Sequence, residues 1–344
     1  MRGIWQGMSI TEQNKTIIDV PSLDALTEHG VTDACLAIGV FDGVHTGHQL
    51  LIKNLLAMSH KHHCTPAALT FFPHPREVIN PENPPPLLVP PFKKVELLHQ
   101  YGIKAVVTIP FSREFAAQSP EEFIKNCLHS SGVKIRGICV GSKWRFGAGG
   151  SGDSSVLHNF ADNGHFDFKA VDELVIGDSI VSSTAIRRAI SSGLLDKAGE
   201  MLGRPYSLCG IVEKGYHVAG PELAHPTANL KITFGVLPPD GVYAASAIVG
   251  GKHYPAAVNI GISPTYNRPE DKSKRFEVHI IGFDHDLYGT SIEVELLQYL
   301  REERCFQNSS LLKNQIIKDI EDIKQIIDGK AGSLESGVWS QESE

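Results

Sequence analysis

From Thr16 to about Ile190, short apolar runs alternate with segments whose apolar positions recur at helical spacing. Cys35 to Phe41 is a continuous apolar run broken only by Gly39, and the stretch from Leu50 to His60 then reads as a helix. Further strand-like runs cover 67–71, 104–109, 137–141 and 168–176, with helical stretches at 92–101 and 120–132 between them. Strand, helix, strand in this rhythm predicts a parallel sheet with helices on both faces, since parallel neighbours need a long crossover. Asn80 to Pro91 interrupts the rhythm. Its prolines forbid a helix interior and a central strand, so it is expected to be a surface loop.

After about Gly203 the texture changes to short strand-like runs, separated by turn residues such as Pro238 to Gly241, Gly250-Gly251 and Asp284 to Asp286. That pattern predicts an antiparallel barrel or sandwich. One helix closes it, with Ser309 or Ser310 as its cap. Leu312, Ile316, Ile320, Ile323 and Ile327 repeat at helical spacing, which is the stripe of a helix packed on a core. The expected division is a first domain over 16–190, a linker over 191–205, a second domain over 206–330, and tails at 1–15 and 331–344.

Composition narrows the function. The chain has 344 residues, 42% of them apolar, and a formal charge of −7, which argues against a nucleic-acid partner. No run approaches the ~20 apolar residues of a spanning helix, so a soluble cytoplasmic protein without a membrane partner is expected. The six cysteines form no C-x-x-C pair and read as reduced thiols.

The motif with most chemical content runs Gly39-x-Phe41-Asp42-Gly43-x-His45-x-Gly47-His48, where an apolar strand meets a helix. Ligands of open parallel sheets bind at the carboxyl ends of strands, beside helix starts. Glycines there let backbone amides approach phosphate oxygens, and the helix start favours negative charge. Two histidines at i and i+3 can donate to a reacting α-phosphate. No G-x-x-x-x-G-K-[ST] loop occurs, which points to chemistry at the α-phosphate with pyrophosphate leaving. Ser182-Ser183-Thr184-x-x-Arg187 opens a later helix; it reads as an ordinary cap or, beside the first motif, as a triphosphate clamp. His74 and Arg76 sit at a strand end turned by prolines. Gly147-x-Gly149-x-x-Gly152 matches a dinucleotide fingerprint, but SKWRF separates it from the preceding strand, so a flexible loop is the better reading. In the second half, Thr227 and Asn229 of Pro226-Thr227-Ala228-Asn229 offer neutral oxygens for a metal–phosphate pair, and Glu277 lies on an alternating strand with His279 on the same face.

Taken in order, these segments resemble the bacterial bifunctional riboflavin kinase/FAD synthetase family, from about Ala37 to Asp328. His-Pro-Arg-Glu-Val at 74–78, Trp144 to Gly147, Leu-Gly-Arg-Pro-Tyr at 202–206, Leu-Tyr-Gly at 287–289 and Arg301 to Phe306 extend the likeness. The resemblance implies an α/β chain: an N-terminal Rossmann-like nucleotidyltransferase domain followed by a C-terminal six-stranded antiparallel barrel with a closing helix. It implies phosphorylation of riboflavin to FMN and adenylylation of FMN to FAD, each with ATP and Mg²⁺. By position, His45, His48, Ser183, Thr184 and Arg187 fall in the adenylylation site, with Gly39, Phe41, Asp42, Gly43 and Gly47 around the phosphates. Thr227 and Asn229 match metal and phosphate residues, and Glu277 the kinase base; His74, Arg76 and Lys143 are flavin candidates. A monomer or weak homo-oligomer is expected. The chain departs from the family at Lys143, where an acid or amide is usual, at Trp144, at Ala224-His225, and in the glycine-rich loop around GYHVAGPE. These departures keep an alternative open, a monofunctional FMN adenylyltransferase with an impaired kinase domain, and, more remotely, a flavin-binding regulator.

Overall fold

The apolar run of the first motif is apolar because both of its faces are covered. In the computed structural model, which describes residues 17–129, 132–164, 166–213, 228–261, 274–304 and 306–336, it becomes the strand Asp33–Ile38. Leu36 and Ile38 point into one buried cluster, and Cys35 and Ala37 into another on the opposite face. Along this unit run β1 (Ile18–Val20), β2 (Asp33–Ile38), α1 (Thr46–Lys61), β3 (Thr65–Phe72), α2 (Pro75–Ile79), α3 (Pro91–Gln100), β4 (Ala105–Pro110), α4 (Arg113–Ala116), α5 (Pro120–Phe123), β5 (Lys134–Gly141), α6 (Ser154–Gly164), β6 (Asp167–Val171), β7 (Val175–Ile176), β8 (Ser179–Ile180) and α7 (Ser183–Ser191). The sheet order is β1-β4-β3-β2-β5-β6, and every pair in it is parallel. From β2 the chain moves outward through β3 and β4, then returns to place β5 on the other side of β2. The carboxyl ends of β2 and β5 therefore border the crevice where such sheets bind ligands.

Three readings need correction here. The run 168–176 is two elements, because Asp172 to Leu174 leave the sheet and Val175 begins an antiparallel hairpin with β8. The helix expected over 120–132 is one turn of α-helix, capped by Ser119 and Glu122, followed by a wider π turn over Ile124–His129. Gly147 to Gly152 form an ordered turn, closed by an antiparallel bridge between Phe146 and Gly152 and by an Arg145–Asp153 ion pair. Gly147 has φ 73°, and a Cβ there would lie 2.8 Å from the Pro120 backbone nitrogen, so packing explains the glycine without a nucleotide.

After α8 (Leu195–Leu202) the second unit follows as β9 (Tyr206–Glu213), β10 (Ala228–Ile232), β11 (Gly241–Val249), β12 (Lys252–Gly261), β13 (Arg275–Ile280), β14 (Ser291–Arg301) and α9 (Ser309–Ser336). The strands close an antiparallel barrel in the order β10-β13-β12-β11-β14-β9. Phe276, Val278 and Ile280 alternate into its interior with Tyr206, Leu208, Val258 and Val294. On the outside, Ala244 and Leu297 are covered by Ile323 of α9, which is the packing role expected for that stripe. The cap of α9 is Asn308, whose Oδ1 accepts from Leu311 N at 2.9 Å, rather than Ser309 or Ser310. The helix also continues to Ser336, past the expected end of the domain at residue 330. By contacts the chain divides into one unit built on residues up to Arg187 with Glu200–Gly203, and another built on Arg188–Gly199 and the chain from Arg204.

A buried ion pair fixes α9 to the barrel. Arg301 Nε lies 3.1 Å from both oxygens of Asp319 and its Nη2 lies 2.7 Å from Oδ2, with the Asp319 side chain only 7% exposed. Asp319→Ala leaves the arginine charge half-buried without its partner and is expected to cost about 3–5 kcal/mol of stability. Urea unfolding of the variant measures this, and a loss below about 1 kcal/mol would mean that water replaces the carboxylate without penalty.

Candidate active sites

The turn after β2 is held in an unfavourable backbone shape. Phe41 has φ 54° and Val44 φ 41°, left-handed values that a β-branched residue adopts only under constraint. Gly43 sits between them at φ 82°, where a Cβ would meet Leu88 Cδ1 at 2.7 Å. The constraint is Asp42, 4% exposed. Its Oδ1 accepts from Leu88 N at 2.9 Å, its Oδ2 pairs with Arg187 Nη2 at 2.5 Å, and its carbonyl accepts from Ser183 Oγ at 3.0 Å. Arg187 also donates through Nε to Pro86 O at 2.7 Å. One buried carboxylate thus joins the turn, the proline-rich loop and α7. Burial pushes the Asp42 carboxyl upward, against the pull of Arg187, the Leu88 amide and Lys94.

His45 and His48 follow from that turn. His45 is the N-cap of α1, and its Nδ1 accepts from His48 N at 3.3 Å, which leaves the neutral ring's proton on Nε2. The two rings stack with centroids 3.7 Å apart. His48 Nδ1 is buried and has no partner in the protein. Burial holds the His48 imidazole well below its usual range, with His45 and Lys94 adding to the effect. His74 is likewise lowered to about 4, mainly by burial and then by Arg187. Both are therefore neutral near pH 7.

These groups line a cleft of about 380 Å³ together with Gly39, Phe41, Gly47, Arg76, Lys143, Trp144, Thr184 and Arg187. That size suits a nucleotide or flavin. The structure brings together every first-unit candidate read from sequence, with two placed differently: Asp42 and Gly43 lie behind the wall and shape it. Ser182, not Ser183, caps α7, accepting from Ala185 N at 3.2 Å. Lys143 reaches Glu173 at 2.5 Å across the rim. Sequence reading missed Lys94 on α3 and the acidic wall of Asp172 and Glu173; a lysine in an amphipathic helix gives no sign that it is buried.

In the barrel, Asn229 of β10 stands opposite Glu277 of β13, and Glu277 opposite Asn259 of β12. Facing positions share a sheet face, and the inward alternation of Phe276 and Val278 puts this row on the barrel's outer surface. Burial raises the Glu277 carboxyl, with Glu303 adding and Arg275, 4.0 Å away, opposing. Asn259 donates to Glu303 Oε1 at 3.2 Å, while its own Oδ1 is buried without a partner. Thr227, Ala224, His225 and most of the glycine-rich loop lie outside the described residues.

Two family profiles match the chain, one described as FAD synthetase over residues 28–185 and one as riboflavin kinase over 202–327. A bifunctional riboflavin kinase/FMN adenylyltransferase of Buchnera aphidicola is 34% identical over 86% of this chain and 94% of its own. The chain belongs to the bifunctional riboflavin kinase/FMN adenylyltransferase family. Family members from Bacillus subtilis and Escherichia coli are 32% and 33% identical, each over 83% of this chain and about nine-tenths of their own. In structure, a Streptococcus pneumoniae protein described as a macrolide-efflux protein superposes with a TM-score of 0.76, covering 90% of this chain and 98% of that one at 26% identity. Among the described residues no helix is long and apolar enough to cross a membrane. Both transferase domains of the family are present, which supports the two-activity reading over the monofunctional one. Domains of both kinds use ATP with a divalent metal.

The depressed histidines make a checkable statement. The unfolded chain takes up these protons near pH 6.5, before the folded unit does, so stability falls as pH drops from about 6.5 toward 4. Histidine NMR titration should find His74 titrating near pH 4 and His48 neutral at pH 6. A His48 midpoint above 6 would show that the ring is solvated and charged.

Proposed function

We propose that the barrel unit phosphorylates riboflavin to FMN and that the parallel-sheet unit joins FMN to AMP, releasing pyrophosphate. The observation that carries the second step is the cleft at the switch point of the sheet. It combines a strained glycine turn, a helix start and two stacked histidines, with Ser183, Thr184 and Arg187 on the facing helix. In this reading a phosphate oxygen of FMN attacks the α-phosphorus of ATP, and the bond to the β,γ-pyrophosphate breaks. His45 Nε2–H and the His48 ring donate to α-phosphate oxygens as charge builds on them. Thr184 and Arg187 hold the leaving phosphates, and His74, Arg76, Lys143 and Trp144 hold the flavin.

In the barrel, Glu277 takes the proton of the ribityl hydroxyl as that oxygen attacks the γ-phosphorus. Its raised affinity for protons suits a base, and its place on a rigid strand fixes its aim. Mg²⁺ enters with ATP. The neutral amide oxygen of Asn229 and the unpartnered buried Asn259 Oδ1 are hard donors of the kind this ion accepts. Thr227 and Asn229 would hold it; when bound it neutralises charge on the transferred phosphoryl group. Because riboflavin, FMN and ATP are soluble metabolites, the cytoplasm is the proposed compartment, and a monomer or weak homo-oligomer suffices.

Two substitutions separate the steps. His48→Ala is expected to lower FAD formation from FMN by about 100- to 1000-fold while FMN formation continues. Glu277→Gln should lower FMN formation by roughly 100- to 10000-fold and leave adenylylation intact. Chromatography of flavins after incubation with ATP and Mg²⁺ reads both. A folded variant that loses both activities together contradicts the two-site assignment, and wild-type protein that makes FAD from FMN but no FMN from riboflavin restores the monofunctional reading.

A further inference from the structure

The carboxyl end of a parallel sheet presents strand carbonyl oxygens, and these repel a phosphate. At β2 and β3 an ammonium group covers them. Lys94 of α3 is 7% exposed, and its Nζ lies 3.0 Å from Thr70 Oγ1 and 3.4 Å from the carbonyl oxygens of both Val40 and Phe71. Thr70 Oγ1 itself donates to Val40 O at 3.0 Å. Val40 is the residue between Gly39 and Phe41, so the lysine grips the start of the strained turn from behind. Its charge is felt by groups on every side: Asp42 in the turn, Asp19 on β1, His48 on α1 and His74 before α2.

We infer that Lys94 is a positioning residue of the adenylylation site, whose buried ammonium caps the Val40 and Phe71 carbonyls and holds the Gly39–Gly43 turn in its phosphate-accepting form. It replaces, from another element, the cation that a P-loop lysine would have supplied, without touching the nucleotide. This rests on the adenylylation reading above. Burial, opposed by Asp42 and Asp19, lowers the Lys94 ammonium to about 8. The charge is therefore largely present at pH 7 and is lost as pH rises through about 8. Over that interval His48 and His74 are already neutral and Arg187 stays charged.

The test uses the full chain and measures kcat/KM for ATP, which reports the free enzyme, between pH 6.5 and 9.5 in FAD formation from FMN, with riboflavin phosphorylation as internal control. Wild-type adenylylation is expected to fall above pH 8. K94M should lose about 100-fold, keep riboflavin phosphorylation within about twofold, and show no fall near pH 8 in what remains. K94R, charged throughout, should retain more activity than K94M and move the fall upward. Adenylylation that is flat through pH 7–9 in the wild type, or K94M within about threefold of wild type, overturns the inference. If K94M does not fold, the comparison of wild type with K94R decides it. Wild-type protein that makes no FAD at all would instead refute the adenylylation reading itself.

Discussion

The cleft of the parallel-sheet unit depends on one buried ion pair. Asp42 and Arg187 meet where three stretches of chain, far apart in sequence, converge. A buried carboxylate is costly to desolvate, and the cost is recovered only when all of its lone pairs are used. Here both oxygens are engaged, one by a backbone amide from the proline-rich loop and one by a guanidinium from α7. The pair therefore enforces a choice: the loop and α7 are both in place, or the carboxylate is stranded. Positive φ at Phe41 and Val44 is tolerated because this network holds the turn.

A second level of order comes from the charges behind the cleft wall. His48 and His74 carry no charge near neutrality, so permanent positive charge beside them comes from groups tied to the scaffold. Arg187 is fixed to Asp42 and Pro86, and Lys94 is fixed to strand ends. For the proposed transfer step such charges are organised in advance, so little reorientation is needed as charge develops.

Much of this was legible in the amino-acid order. The unbroken apolar run at 35–41 needed both faces covered, which meant a central parallel strand, and the glycines and histidines after it needed a strand end and helix start. The closing stripe of α9 was equally plain. What was not legible depended on tertiary company. Nothing in FDFKAVDELVI marks where β6 stops, because the turn at Asp172 to Leu174 uses residues that also suit a strand. Nothing in the order of residues 92–101 marks Lys94 for burial, since that burial depends on carbonyls contributed by two other stretches of chain. Asp42 looked like a ligand because its neighbours are. Only the fold shows that its oxygens are already spent on the protein.

The row formed by Asn229, Glu277 and Asn259 lies on the outer surface of a barrel whose inside is filled by side chains such as Phe276 and Val258. With the proposed role of Glu277, packing and chemistry are carried by alternate residues of the same strands. Selection can repack the interior for heat or cold without disturbing the reactive row, and can retune that row without loosening the interior. An engineer seeking a sturdier enzyme has the same freedom: volume changes at inward positions, made with the outward residues untouched.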